Sequence, residues 1–105
     1  MPQPSYTCGD AKTPLLGVTI GQQFEAARKN WPDLPALVSC QENIRWTFDE
    51  LGQQVDAMAT GLIAIGLEPG DRVGIWSPNN AHWIVTQFAT AKAGLILVNI
   101  NPAYR

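Results

Sequence analysis

A chain of 105 residues with 46% hydrophobic and 15% charged residues has the composition of one small folded unit and not of a disordered tract. Its net charge is −2, and its seven basic residues, Lys12, Arg28, Lys29, Arg45, Arg72, Lys92 and Arg105, are too scattered to form a positive stripe, which argues against nucleic acid as a partner. The longest apolar run, Ala93 to Ile100, is far shorter than the roughly 20 residues that cross a bilayer, and no basic stretch followed by an apolar one opens the chain. A cytoplasmic protein without a membrane span is expected.

Residues 1–18 hold Pro2, Pro4 and Pro14 and show no clean period, so they are expected to form an extended arm. Cys8 and Cys40 lack the close pairing of metal or redox motifs and are expected to be incidental reduced thiols. Thr19 followed by Gln22 fits a capping box that opens a first helix, with Ile20, Phe24 and Ala27 on its inward face and Asn30-Trp31-Pro32 stopping it. Residues 35–40 and 44–47 are short β-prone runs around Gln41-Glu42-Asn43, the pattern of an antiparallel hairpin.

Thr47 and Glu50 make a second capping box. Leu51, Val55, Met58, Ala59 and Leu62 then recur at helical spacing, and Gly66 stands where a left-handed cap belongs. A turn at Glu68-Pro69-Gly70-Asp71 leads into a strand, Arg72 to Trp76. Asn79 is expected to cap a third helix that turns Ala81, Ile84, Val85, Phe88 and Ala91 inward and ends at Gly94. Leu95 to Ile100 is an unbroken apolar strand, the pattern of one covered on both faces in a parallel sheet. Strand, helix and strand make a βαβ unit, so the fold class is α/β, with an arm at 1–18 and an incomplete α/β portion at 19–105. A domain seldom stops just behind its most buried strand, so more chain is expected beyond Arg105.

Chemistry is sparse. Asp49 with Glu50, and Glu68 with Asp71, are the acidic pairs that could serve acid–base work, yet the first occupies a helix's first turn and the second flanks a turn. His82 has no second imidazole and no nucleophile in a motif with it. The tryptophans Trp31, Trp46, Trp76 and Trp83 fall on separate elements without basic neighbours, which suits packing better than stacking on bases. The turn Ser77-Pro78-Asn79-Asn80 has no glycine for close approach to a pyrophosphate, and neither a Gly-x-Gly-x-x-Gly turn nor a P-loop occurs.

Taken together, Thr47-Phe48-Asp49-Glu50-Leu51, Ala59-Thr60-Gly61-Leu62 and the run from Gly66 to Asn79 resemble the opening of adenylate-forming acyl-CoA synthetases. So do Trp83, Gln87 to Gly94 and Val98 to Arg105. Ser5-Tyr6 and Thr13 to Leu16 look like the arm of the fatty, medium-chain branch. The resemblance implies a parent ligase that joins a fatty acid to AMP with Mg-ATP, releases pyrophosphate, and passes the acyl group to coenzyme A. The family's phosphate loop with its lysine, its aromatic-Thr-Glu motif, its ribose aspartate and its C-terminal lysine have no counterpart here, and Thr60-Gly61-Leu62 inside a helix is no substitute.

No catalytic, cofactor-binding or metal-binding residue is therefore assigned. Asn101, Pro102 and Tyr104 are noted only for lying at the end of a parallel strand, where α/β sites tend to sit. The expectation is an inactive piece of a ligase that binds neither ATP, Mg nor coenzyme A tightly by itself. Two alternatives stay open. One is a non-catalytic α/β binding module that self-associates through Leu95 to Ile100; the other is an adenylate-forming ligase for an acid that is not a fatty acid. A half of a nucleotide-binding oxidoreductase is disfavoured by the missing glycines.

Overall fold

The computed structural model describes Ser5, Thr7, Gly9, Asp10 and residues 12–104; Pro2, Pro4, Tyr6, Cys8 and Arg105 lie outside the described residues. Residues 12–18 form neither helix nor strand and are exposed throughout. Seven elements follow: α1 (Ile20–Asn30), β1 (Pro35–Ser39), β2 (Ile44–Thr47), α2 (Phe48–Ala64), β3 (Arg72–Trp76), α3 (Ala81–Ala93) and β4 (Ile96–Ile100).

Helix ends are set by local chemistry. Thr19 and Thr47 each close a reciprocal capping box, with Gln22 and Glu50 as the returning side chains. The first two amides of α2 find partners outside the helix: Phe48 N–H donates to the Leu34 carbonyl and Asp49 N–H to that of Pro32, both at 3.0 Å. The end of α2 is a Schellman turn, with Leu67 N–H donating to the Leu62 carbonyl, Gly66 N–H to that of Ile63, and Gly66 at φ 101°. The end of α3 repeats it with Gly94 at φ 76° and bonds from Leu95 to Thr90 and from Gly94 to Ala91.

The core lies between helices. Leu51, Val55 and Ala59 of α2 meet Val85 and Ala89 of α3, and Phe24 of α1 closes the cluster. Phe24 stacks on Phe88 with ring centroids 4.8 Å apart and tilts against Phe48 at 6.5 Å. The inward stripe of α1 differs from the expected one: Gly21 and Phe24 are buried, whereas Ile20 is 62% exposed. Gly21 occupies the close contact with α3, where a Cβ would come within 3.3 Å of the Lys92 Cα. The cap of α3 also moves by one position. Asn80, and not Asn79, accepts the Trp83 N–H, at 2.9 Å, while its own amide donates to Ser77 Oγ at 3.0 Å.

Two small sheets complete the fold. β1 and β2 pair antiparallel as the sequence suggests, with Leu37 opposite Trp46 and Ser39 opposite Ile44. β3 and β4 pair in parallel, from Arg72 beside Ile96 to Trp76 beside Ile100. Leu95, Leu97 and Asn99 face α3 across a groove edged by Trp83 and Gln87. The opposite face is bare, with Trp76 62%, Ile96 45%, Val98 40% and Ile100 37% exposed. β4 starts one residue later than expected, and among the described residues the run read as suited to cover on both faces has it on one, as befits a strand that waits for neighbours.

Charge ties the helices together above this core. Arg28 of α1 donates to Asp49 at 3.0 Å and to Asp56 at 2.9 Å on α2, and Lys92 of α3 pairs with Asp56 and, at 2.6 Å, with Glu25 of α1. Gly52 leaves room for the guanidinium, since a Cβ there would sit 2.5 Å from Arg28 Nε. Gly61, also inside α2, faces open space. Gly61→Ala is therefore expected to stabilise the fold by about 0.5–1 kcal/mol through helix propensity. Gly52→Ala should give no net stabilisation despite the same propensity gain, because its Cβ displaces the Arg28 side chain from half-exposed carboxylates whose pairs are worth about 0–1 kcal/mol. Urea unfolding of the two variants checks this, and stabilisation by both would show that the Arg28 arrangement contributes nothing.

Candidate functional site

The strand ends and the start of α3 together build the polar cleft of the molecule. Ser77, Pro78 and Asn79 leave β3, Asn99, Asn101, Pro102 and Tyr104 lie at and beyond the end of β4, and with Trp83 of α3 they line an open space of about 540 Å³. The turn after β4 is held by Asn101, whose side-chain oxygen accepts the Ala103 N–H at 2.9 Å while its carbonyl accepts the Tyr104 N–H at 3.0 Å. On the other wall, the Ser77 hydroxyl donates to the Pro78 carbonyl at 2.9 Å and accepts from Asn80. The cleft thus offers amide and phenol groups on backbone fixed by side-chain caps, at the place where ligands of α/β sheets bind. It contains no titratable group other than Tyr104 among its lining residues.

The neighbouring helix start is already taken. Ala81 N–H, the first amide of α3, donates to the Glu42 carboxylate at 2.9 Å, and the same oxygen accepts the Ser39 hydroxyl at 2.6 Å. The Ser39 hydroxyl, then the Ala81 amide, hold the Glu42 carboxyl below its ordinary range. A helix start attracts anions, and here the chain's own hairpin supplies one. The sequence disfavoured a dinucleotide at this turn for lack of glycine; in the structure the Ala81 amide, one of the donors that a phosphate would use there, is engaged by Glu42. Glu42 was not singled out in the sequence, because its partner lies 39 positions away and no local pattern announces it.

The acidic pairs are structural. Glu50 serves the Thr47 capping box, and Asp49 accepts from Arg28 and from Gln53. Asp71 accepts the Glu68 N–H at 2.8 Å and closes the turn before β3. His82 is exposed on α3, and its carbonyl accepts the Thr86 hydroxyl. Trp31 and Trp76 are exposed, Trp46 packs against the core, and Trp83 edges the cleft. Cys40 is an exposed free thiol. Thr60-Gly61-Leu62 lies within α2.

A family model described as "AMP-binding enzyme" matches residues 24–105. The chain belongs to this AMP-binding enzyme family. It is 50% identical over 101 residues to the mitochondrial medium-chain acyl-CoA ligase ACSF2 of Macaca fascicularis, which covers 96% of this chain and 16% of that ligase. The human ACSF2 is 46% identical over the same shares. The putative acyl-CoA synthetase YngI of Bacillus subtilis is 38% identical over 87% of this chain and 17% of its own length. Among solved structures, a Mycobacterium tuberculosis fatty acyl CoA synthetase superposes with a TM-score of 0.79 at 28% identity, covering 82% of this chain and 17% of that one. The N-terminal domain of FACL13 from the same organism gives 0.80 at 28% identity, covering 83% and 22%. The chain therefore spans about a sixth of the length of the curated relatives it matches.

The same matches correct one expectation. A cytoplasmic location does not stand, because the ACSF2 ligases that match this chain at 46–50% identity are mitochondrial by name. It rested on finding no export leader or span, which bears on secretion and not on organelle import.

The residues in hand do not fit the nucleotide and metal that the family implies. Among the described residues no group of three His, Cys, Asp or Glu side chains could hold a metal ion, and at the start of α3 the Ala81 amide is engaged by Glu42 and the Trp83 amide by Asn80.

Because the Glu42 carboxyl is lowered in the fold, its tie to α3 is complete at neutral pH and is lost as pH falls through the lowered value. The Ala81 amide resonance is expected to titrate with a midpoint below that of an ordinary glutamate, and Glu42→Gln should abolish the titration. An Ala81 amide that is silent to acid would show that the carboxylate does not hold this helix start.

Proposed function

We propose that this chain is the amino-terminal part of an acyl-CoA ligase for medium-chain fatty acids, with residues 1–18 as an arm and 19–105 as a portion of its large domain. The parent reaction joins the acid to AMP from Mg-ATP with release of pyrophosphate, then transfers the acyl group to the thiol of coenzyme A with release of AMP. The observation that carries this reading is the 50% identity to a medium-chain acyl-CoA ligase over 96% of the chain. In this reading the segment contributes scaffold. The helices support a parallel strand pair, and the strand ends present the cleft of Asn79, Asn99, Asn101 and Tyr104 to the rest of the enzyme. No residue of the segment is given a catalytic role.

The test compares the 105-residue chain with a version extended through the full reading frame of a ligase, each offered ATP, coenzyme A and a series of fatty and aryl acids, with pyrophosphate release as the readout. Activity is expected only in the extended enzyme, with octanoate-length acids preferred. Pyrophosphate release by the short chain would overturn the scaffold role, and preference for an aryl acid would replace the substrate.

One observation favours a second reading, a module that self-associates. Trp76, Ile96, Val98 and Ile100 form an uncovered apolar face on a sheet of two strands, a surface that promotes association. Sedimentation at rising concentration decides its weight. Association should appear and should be reduced by Val98→Lys; a folded monomer at all concentrations removes this reading and leaves the ligase reading untouched.

A further inference from the structure

We propose that α1 is held on the α2–α3 pair by an electrostatic latch centred on Asp56, and that it opens as a unit before that pair comes apart. Asp56 uses both carboxylate oxygens, one for Arg28 of α1 and the other for Lys92 of α3. The remaining ties of α1 are charged as well: Arg28 to Asp49 of α2 at 3.0 Å and Glu25 to Lys92 of α3 at 2.6 Å. Within α1, Glu25 also stands 3.7 Å from Arg28, and Gln53 of α2 occupies the second oxygen of Asp49. Every charged group facing Asp56 from the three helices thus belongs to this cluster.

The apolar share of the contact is narrow. α1 buries only Phe24 and Gly21, whereas α2 and α3 bury Leu51, Val55, Ala59, Val85 and Ala89 between them. The N-terminal flank of α1, residues 12–18, is exposed and gives it no anchor, and the C-terminal flank is tied to the start of α2 only through the carbonyls of Pro32 and Leu34, beyond the helix itself. Pairs that keep a fifth to nearly half of their side-chain surface in solvent are screened by salt, while apolar packing is not weakened by it. The two contacts must therefore respond differently to ionic strength. Acid acts on the same hub: Lys92 first, then Arg28, hold the Asp56 carboxyl below its ordinary range, so the latch is complete at neutral pH and is lost as pH falls through that lowered value.

Native-state hydrogen exchange on the full chain tests the latch. Raising salt to about 1 M, where screening acts within about 3 Å, should cut the protection of the Phe24 to Arg28 amides about tenfold and that of Val55 to Ala59 less than about twofold. Asp56→Asn should lower α1 protection at low salt and shrink its salt response to below about twofold. If that variant does not fold, Lys92→Met is expected to give the same reduced response. Equal loss in α1 and α2, no loss in either, a full salt response in the variants, or a chain without protected α2 amides would each overturn the proposal.

Discussion

Val55 of α2 and Ala89 of α3 have no exposed surface, and Leu51, Ala59 and Val85 fill the seam around them. Burying a large apolar side chain contributes about 1.5–3 kcal/mol, so this seam outweighs anything that a pair of two-stranded sheets supplies. Small side chains at Ala59 and Ala89 let the helices approach closely, and that approach decides where everything else can attach. Phe24 finds its place only because Phe88 and Phe48 stand on either side of the seam. Leu37 and Trp46 of the hairpin pack on the same cluster. α3 in turn carries the parallel strands, since Leu95 is buried beneath it and Thr90 caps the turn that starts β4.

What could be read from the sequence follows a simple division. Thr19 with Gln22, Thr47 with Glu50, Gly66 and Gly94 all act within one turn of themselves, and each was found where its pattern pointed. Ile20 was misplaced because α1 offers two overlapping stripes. The structure buries the one through Gly21 and Phe24, a choice made by the closeness of Lys92 on another helix. Asn79 and Asn80 are equally good caps by residue type, and the second wins because its amide can also reach Ser77. Glu42 was illegible for a deeper reason. A turn glutamate looks like any solvated charge until the tertiary fold brings a helix start to it.

The cleft shows the same division between local and remote. Asn101 and Tyr104 could be placed at a strand end from the βαβ pattern, but Trp83 and Asn79 join them only through the pairing of β3 with β4. The apolar run of β4 showed that it lacked neighbours in so short a chain, but not which of its two faces would stay bare. An apolar run of this length is compatible with cover on one face or two, and the number of layers is a property of the whole sheet.

The bare face and the filled helix start bear on function from opposite sides. A helix start is the one ready-made anion site that a strand–turn–helix unit offers, and Glu42 consumes it for the docking of a hairpin. A segment built to hold a nucleotide by itself would leave that amide open and put glycine before it; this one does neither. The apolar face of Trp76, Ile96, Val98 and Ile100, by contrast, is stable in water only at a cost, and parallel sheets as a class are covered on both sides. The matched region makes up about a sixth of the ACSF2 ligases, so most of the length of each lies outside it. In the ligase reading proposed above, a bare apolar face and a helix-start amide already engaged by a carboxylate suit a supporting part.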